Sequence, residues 1–342
     1  MFSTTNQAIA DRLKKLSANG DPLARLNEIM DWELFIPLLE RTFKKERKSL
    51  AGRKRYHLLV MFKVLILQCL YNLSDHQAEY QTRDRLSFMR FLGLTIHDAV
   101  PDEKTIWLFR EALIKANAIE ELFQRFNSYL SEQGYAAAIG TMVDASIVST
   151  PKQRNSRDDN KVIKEGKVPE SFFENKHKLR QKEVDARWTK KNHQNYYGYK
   201  NHLGVDVKHK IIRKYQVTPA NISDIHCFDF LLDKSNQDKM VWADSAYYSA
   251  ENEQQLEEKG YESRIISRNK KHLALWSAKA RENTRRSKIR VRVEHVFGFM
   301  KNSMRAELVR CIGIMRVSAR LGLINLVYNF CRFEQLNRLG VV

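Results

Sequence analysis

Between Asn6 and about Ser131, apolar residues recur at spacings of three and four with almost no alternating runs, the pattern of successive amphipathic helices. Three places punctuate that pattern: Asp21-Pro22, Ser74-Asp75 ahead of His76-Gln-Ala-Glu, and Pro101-Asp102-Glu103 ahead of Lys104 to Arg110. A short polar side chain can accept from the free N–H groups of a first helical turn, and proline fits there because it has no N–H to lose, so each predicts a helix start. The apolar run Leu58 to Leu70 contains Lys63 and falls short of the roughly 20 residues a membrane span needs; it reads as a buried helix, with no membrane role. Residues 1–131 are therefore expected to form an all-α amino-terminal domain. Such a layout suits a helix-turn-helix reader as well as a plain bundle or dimerisation module.

At Gly134 the pattern changes. Ala136 to Val148 reads as a buried strand carrying a single acid, Asp144. A basic, polar insertion follows at about 152–195, predicted to be a loop with some helix. Two strands, Tyr196–Val207 and Ile211–Thr218, are joined by the basic turn Lys208-His-Lys210 as a hairpin. Next come a capped helix at Ser223-Asp224, a strand Met240–Asp244, a helix Ala250–Lys259 ended by Gly260, and a strand Tyr261–Ile266. An apolar-striped helix, Val317–Cys331, closes the chain and is expected to pack on this second domain. Residues 134–342 thus predict an α/β domain of the RNase-H-like kind, a mixed sheet flanked by helices.

Composition narrows the partners. The 342 residues carry 59 Lys and Arg against 40 Asp and Glu, a formal charge of +19, whose field favours a polyanion, nucleic acid foremost. Four scattered cysteines, Cys69, Cys227, Cys311 and Cys331, form no C-x-x-C pair, which fits a reducing cytoplasm better than a disulfide framework or structural zinc. The first residues have no apolar core of signal-peptide type.

Two acids end apolar strands, Asp144 after Met142-Val143 and Asp244 after Val241-Trp242-Ala243. An acid in that position is costly unless solvated, paired or bound to a cation, although each alone also reads as a cap or turn acid. If the two strands pair, the carboxylates repel, and a divalent cation offsets the repulsion. In Lys288–Lys301, Ile289, Val293, Val296 and Met300 form one apolar face expected to dock on the sheet. Arg290, Glu294 and Lys301 share a neighbouring sector, which also suits an exposed salt-bridged face. Two Asp on adjacent strands and one Glu on a helix suffice for two Mg²⁺ ions, with Asp144 bridging both, Asp244 on one and Glu294 on the other; Mn²⁺ is able to substitute. Arg290 and Lys301 would then hold phosphates.

These pieces resemble a DDE transposase of bacterial insertion sequences, in the insertion-sequence-five (IS-five) group. The matching motifs are Tyr71-Asn-Leu-Ser-Asp75, Pro101-Asp-Glu-Lys-Thr-Ile-Trp107, Gly140 to Val148, Tyr197-Gly-Tyr-Lys-Asn-His202, Trp242-Ala-Asp-Ser-Ala-Tyr247 and Arg290-Val-Arg-Val-Glu-His295. The family's third-acid signature, Y-x2-R-x3-E-x6-K, is met at Arg290, Glu294 and Lys301, while Ser287 stands at its tyrosine position. From Asp144 to Asp244 is 100 residues and from Asp244 to Glu294 is 50, too few for a large domain between the last strand and the Glu helix. The resemblance implies an enzyme that binds terminal inverted repeats, cuts at the element ends and joins the freed 3′-OH to target DNA. It also implies at least a dimer on DNA, in a bacterial cytoplasm with the nucleoid as its place.

Other residues are expected at the DNA. Trp188 to Lys200 interleave aromatics and cations, suiting base stacking and phosphate contact. Within and beyond this stretch Lys190, Lys191, Tyr199, Lys200, His202 and Arg292 are candidate contacts, Lys200 and His202 being those expected nearest the acids, although Tyr196 and Tyr199 also read as strand packing. The dense basic run Arg268–Arg292 is a further candidate track. His193, His202, His209 and His295 lack the spacing of a zinc site. An RNase-H-like nuclease that cuts without joining and an inactive DNA-binding descendant are the alternatives; strand transfer with pre-cut ends separates the first, and the intact triad argues against the second.

The charge generates a first prediction. DNA affinity should fall steeply as salt rises, because each neutralised phosphate releases condensed counterions. A gel-shift series that stays flat between low and physiological salt would contradict an electrostatic mode of binding.

Overall fold

The computed structural model describes residues 2–44, 55–135, 139–267 and 277–341. Its contacts divide the chain into two compact units: Met1–Tyr129 with Asn329–Val342, and Leu130–Tyr328.

The first unit is helical. Asp21 caps the helix Pro22–Ile29 by accepting from the Leu23 N–H, with proline in its first turn. Ser74 caps Asp75–Asp84 in a reciprocal box with Gln77, and Asp102 caps Glu103–Lys115 by accepting from Thr105. All three sequence signals therefore act where they were expected. The helix Leu58–Tyr71 is buried through most of its length. Its Lys63 is satisfied by Asn27 at 2.6 Å and the Phe91 carbonyl at 3.2 Å, and its amine lies 4.4 Å from the Trp32 ring; burial pushes its pKa down to about 8. Phe35, Phe62, Phe126 and Phe330 meet in the core with ring centroids 4.6 to 5.7 Å apart. Arg110 locks the third helix to the second by a bidentate bond to Asp75 at 2.7 Å. Among the described residues no single helix is long and apolar enough to cross a membrane.

The second unit is built on a six-stranded mixed sheet: β1 (Thr141–Ser149), β2 (Arg187–Lys191), β3 (Gln194–Asp206), β4 (Ile212–Pro219), β5 (Met240–Trp242) and β6 (Glu262–Ser263). The path runs β2-β3-β1-β5-β6, with β4 on β3; β1, β3 and β4 are antiparallel neighbours, whereas β5 and β6 run parallel to β1. With its flanking helices this is the RNase-H-like α/β arrangement expected. The β3–β4 hairpin forms as read, with Lys210 in the left-handed region at its turn.

Three expectations need correcting. The polar stretch after Pro151 is not simply a loop: it folds into helices Arg157–Lys164, Glu170–Phe173 and Lys176–Gln181, and its end is β2, an edge strand. A five-residue strand whose one apolar residue is Trp188 has no apolar alternation, so hydrophobicity could not reveal it. Residues Asp224–Leu231 form a 3₁₀ turn and one short helical turn rather than a full helix. The closing helix, Ile314–Arg338, gives residues 314–328 to this unit and its remainder to the first.

Strand alternation sorts β1 into two faces. Val143 joins Phe228, Leu231, Val241, Tyr247 and Leu256 in a core on one side. Ser146 and Val148 face Phe297, Met300 and Leu321 on the other, which by parity is also the face of Met142 and Asp144. Gly140 holds β1 against β5: its φ is +95°, and a Cβ there would lie 2.5 Å from the Met240 carbonyl and 2.6 Å from the Trp242 ring.

Gly140→Ala should therefore destabilise this unit by about 2 kcal/mol or more, combining left-handed strain with overpacking. Urea unfolding followed by tryptophan fluorescence measures it, and an unchanged midpoint would refute the close-approach argument.

Candidate active site

The pairing of β1 with β5 keeps a constant offset of 100 residues, Thr141 opposite Val241 and Met142 opposite Trp242. Extended two residues further, that register sets Asp144 level with Asp244. Asp144 remains within β1, 8% exposed, and its Oδ1 accepts from the Ala145 N–H at 2.7 Å. Asp244 lies just beyond β5, half-buried, and caps the turn Ser245–Tyr247 by accepting from the Ala246 N–H at 2.8 Å.

The third acid comes from a broken helix. Where one continuous helix was expected, Ser277–Arg290 and Arg292–Asn302 are separated at Val291. Val293, Val296 and Met300 are buried, and Ile289, before the break, is only half-buried. Val296 and Met300 belong to the same helix face as Val293, so docking that face leaves Glu294 exposed on the helix's first turn. Arg290, the last residue before the break, donates from Nη1 to Asp144 Oδ2 at 2.7 Å and from Nη2 to Glu294 Oε1 at 3.2 Å. Burial pushes the Asp144 carboxyl up to about 7; Arg290 opposes the shift, and the charges of Asp244 and Glu294 add to it. The three acids are thus close enough to feel one another, two of them through a shared guanidinium.

Among the described residues no three His, Cys, Asp or Glu side chains form a closed cation cage, these acids included. Their chemistry nevertheless fits a hard divalent cation: every donor is a carboxylate oxygen, and burial disfavours the charged form of Asp144, which a cation would offset. His202 and His209 are both buried, His202 beside Thr218 Oγ1 at 2.8 Å and His209 on the Tyr135 carbonyl at 2.6 Å.

The remaining predicted contacts divide sharply. Lys200 and His202 lie opposite Ile147 and Ala145 in the antiparallel register, hence on the sheet face away from Asp144. Lys200 bonds the Ile222 carbonyl at 2.7 Å and Asp224 at 2.8 Å; His202 is wholly buried, with Nε2 at 2.8 Å from Thr218 Oγ1. Both are interior groups rather than surface DNA contacts, because a one-residue step in a strand reverses the face. Tyr199 is likewise fully buried, so it too is a core residue. Lys190 and Lys191 are exposed on β2, where Trp188, 51% exposed, packs at a tilt against Tyr197 with ring centroids 5.2 Å apart, beneath Lys152. Arg292 and Lys301 are half-buried on the Glu294 helix, and a Cβ at Gly298 would meet open space. Arg268 to Trp276, the first part of the basic run, lie outside the described residues.

Sequence reading missed Glu183 and Asp185, which accept from the Gly313 and Ile314 N–H groups at 2.9 and 2.8 Å and so cap the closing helix from about 130 residues away. Asp224, partner of Lys200, was also missed. Neither has a local signal.

Residues 136–330 match the family described as "Transposase DDE domain", more than half of the chain, and residues 11–112 match "Transposase domain (DUF772)". Among solved structures, the cryo-EM structure of a piggyBac transposase synaptic complex with hairpin DNA aligns with 93% of this chain and 76% of its own, at 10% identity and a TM-score of 0.46.

The interior position of His202 has a pH consequence. Desolvation pushes its pKa from 6.5 down to about 4, against the pull of Asp224. A depressed histidine stays neutral in the folded state, so its stability contribution is present above pH 6.5 and is lost as pH falls from 6.5 towards about 4. Thermal midpoints of His202→Gln should vary less across that window than those of the unsubstituted protein. Parallel profiles would contradict the buried, neutral imidazole.

Proposed function

The chain belongs to the DDE-domain transposase family, of metal-dependent DNA-cleaving and joining enzymes, and on that premise we propose how it acts. Within the family its motifs support assignment to the insertion-sequence-five group. The substrate is the element's terminal inverted repeats; the enzyme hydrolyses the strand at each end and joins the 3′-OH to target DNA.

One observation supports the assignment of the site: the β1–β5 register sets Asp144 level with Asp244, and Arg290 bonds both buried Asp144 and Glu294, so the three acids belong to one cluster. They are the residues that would hold the divalent cations, two Mg²⁺ with Mn²⁺ able to replace them. When bound, such a pair supplies activation of the attacking oxygen and neutralisation of charge at phosphorus. The chain's own part is positional. Asp144 is pinned by its bonds to Ala145 and Arg290, so its oxygens have one orientation. Arg290, Arg292 and Lys301 line the approach to Glu294 and take the phosphates, while exposed Lys190, Lys191 and Trp188 on β2 meet the DNA beyond. The helical residues 1–131 serve end recognition and pairing, residues 134–342 the chemistry. Two ends handled together call for a dimer or larger assembly on DNA, working at the nucleoid in a bacterial cytoplasm.

Replacing Asp144 or Asp244 by Asn keeps side-chain volume and removes a charged ligand. Single-turnover nicking of a repeat end with Mg²⁺ should slow at least about a thousandfold, since each 1.36 kcal/mol of lost transition-state stabilisation is tenfold in rate. Gel-shift binding by the same proteins should survive, and strand transfer with pre-cut ends should fail in parallel. Substitution of exposed Asp158 should cost far less. A triad variant that binds normally and nicks at near the unsubstituted rate would mean the site is elsewhere.

A further inference from the structure

Arg290 is placed oddly for a residue whose only task is to grip a phosphate. Its side chain is 17% exposed, and both arms of its fork are engaged, with Asp144 at 2.7 Å and Glu294 at 3.2 Å. Among the described residues no other Lys or Arg bonds either acid. The geometry comes from the helix break: Val291 N–H still bonds the Ser287 carbonyl at 2.9 Å, while Glu294 N–H turns to the Val291 carbonyl at 3.1 Å. The break sets Arg290 and Glu294 on either side of a tightened turn, with the guanidinium reaching across to β1.

A guanidinium and a divalent cation cannot share the same carboxylate lone pairs. The arm on Asp144, short and largely out of solvent, is a charge-assisted bond of the stronger kind, while the arm on exposed Glu294 is longer. We propose that Arg290 is the resident counter-ion of the acid cluster. It holds Asp144 and Glu294 in register in the free protein, competes with divalent cations for them, and releases them when cations arrive with DNA, its freed fork turning to a phosphate. This rests on the reading that the acids hold cations. It adds that one side chain opposes cation binding in the free protein and favours the DNA-bound state, so that an ordered site forms only with substrate present.

The two roles have opposite signs, which makes them separable. Full-length protein without DNA is titrated with Mn²⁺, free Mn²⁺ being read by electron paramagnetic resonance, and thermal midpoints are taken with and without the ion. Arg290→Gln should bind Mn²⁺ about tenfold more tightly than the unsubstituted protein, the effect of deleting one competing charge at contact distance. Its midpoint should be lower without Mn²⁺ and rise further on addition, although its DNA nicking slows. Arg290→Lys, which keeps the charge but cannot fork, should tighten Mn²⁺ binding by about threefold. Lys288→Gln, an exposed cation on the same helix, should stay within about twofold.

Unchanged or weaker Mn²⁺ binding by Arg290→Gln overturns the proposal while leaving the acids' cation role intact. Equal tightening in Lys288→Gln overturns it in favour of a long-range field. If Arg290→Gln does not fold, Arg290→Lys decides: no tightening there defeats the proposal. If the unsubstituted protein binds no Mn²⁺ with or without DNA, the cation reading itself falls, and this one with it.

Discussion

A carboxylate inside a sheet has to be answered by a positive charge or give up its own, and Asp144 is that carboxylate. Much of the second unit can be understood as an answer to it. Parity along β1 turns Asp144 towards the face on which the Glu294 helix docks. The parallel register with β5, which Gly140 permits by close approach, brings Asp244 level with it. The interruption at Val291 lets Arg290 reach Asp144 without undocking Val293 and Val296. Even so, burial, with the charges of the other two acids added, leaves the carboxyl raised to about 7 against the pull of Arg290. A site so short of positive charge is the electrostatic complement of a cation and of the phosphodiester it would accompany.

The same rule explains why basic residues in this chain have two different uses. A net charge of +19 invites every lysine to be read as a DNA contact. Lys200 is instead consumed by Asp224 and a backbone carbonyl beneath the sheet, and His202 by Thr218 beside it. These bonds fix the turn at Asp224 to β3, on the face opposite the acids. Lys190 and Lys191, ten residues earlier on an edge strand, keep no such partner among the bonds described and remain in solvent. Long-range charge favours a polyanion; which cations stay in solvent to meet one depends on strand parity and edge position.

Local signals were read well because their physics is local. The caps at Asp21, Ser74 and Asp102 bond N–H groups two or three residues away, so sequence and structure cannot easily disagree there. The β3–β4 hairpin follows from two β-rich runs and a short turn. Asp144 and Asp244 were legible because each ends an apolar strand, and Glu294 through the motif it shares with Arg290 and Lys301. β2 was not, since Trp188 is its one apolar residue and gives no alternation, and the cap of the closing helix was not, since Glu183 and Asp185 lie far from Gly313 in sequence.

The sequence by itself determined the helix starts at Asp21, Ser74 and Asp102, the α/β character after Gly134 and the identity of Asp144 and Asp244 as acids ending apolar strands, all consequences of near-neighbour periodicity and the cost of burying charge. Only the tertiary structure decided which cations face them. Arg290 is bonded to Asp144 across 146 residues, and Lys200 is turned away although it lies on the strand beside it. A one-residue step along β3 reverses a side chain's face, and a one-residue break at Val291 redirects a guanidinium. Composition is blind to both, because they depend on register and packing between segments that the chain brings together only when it folds.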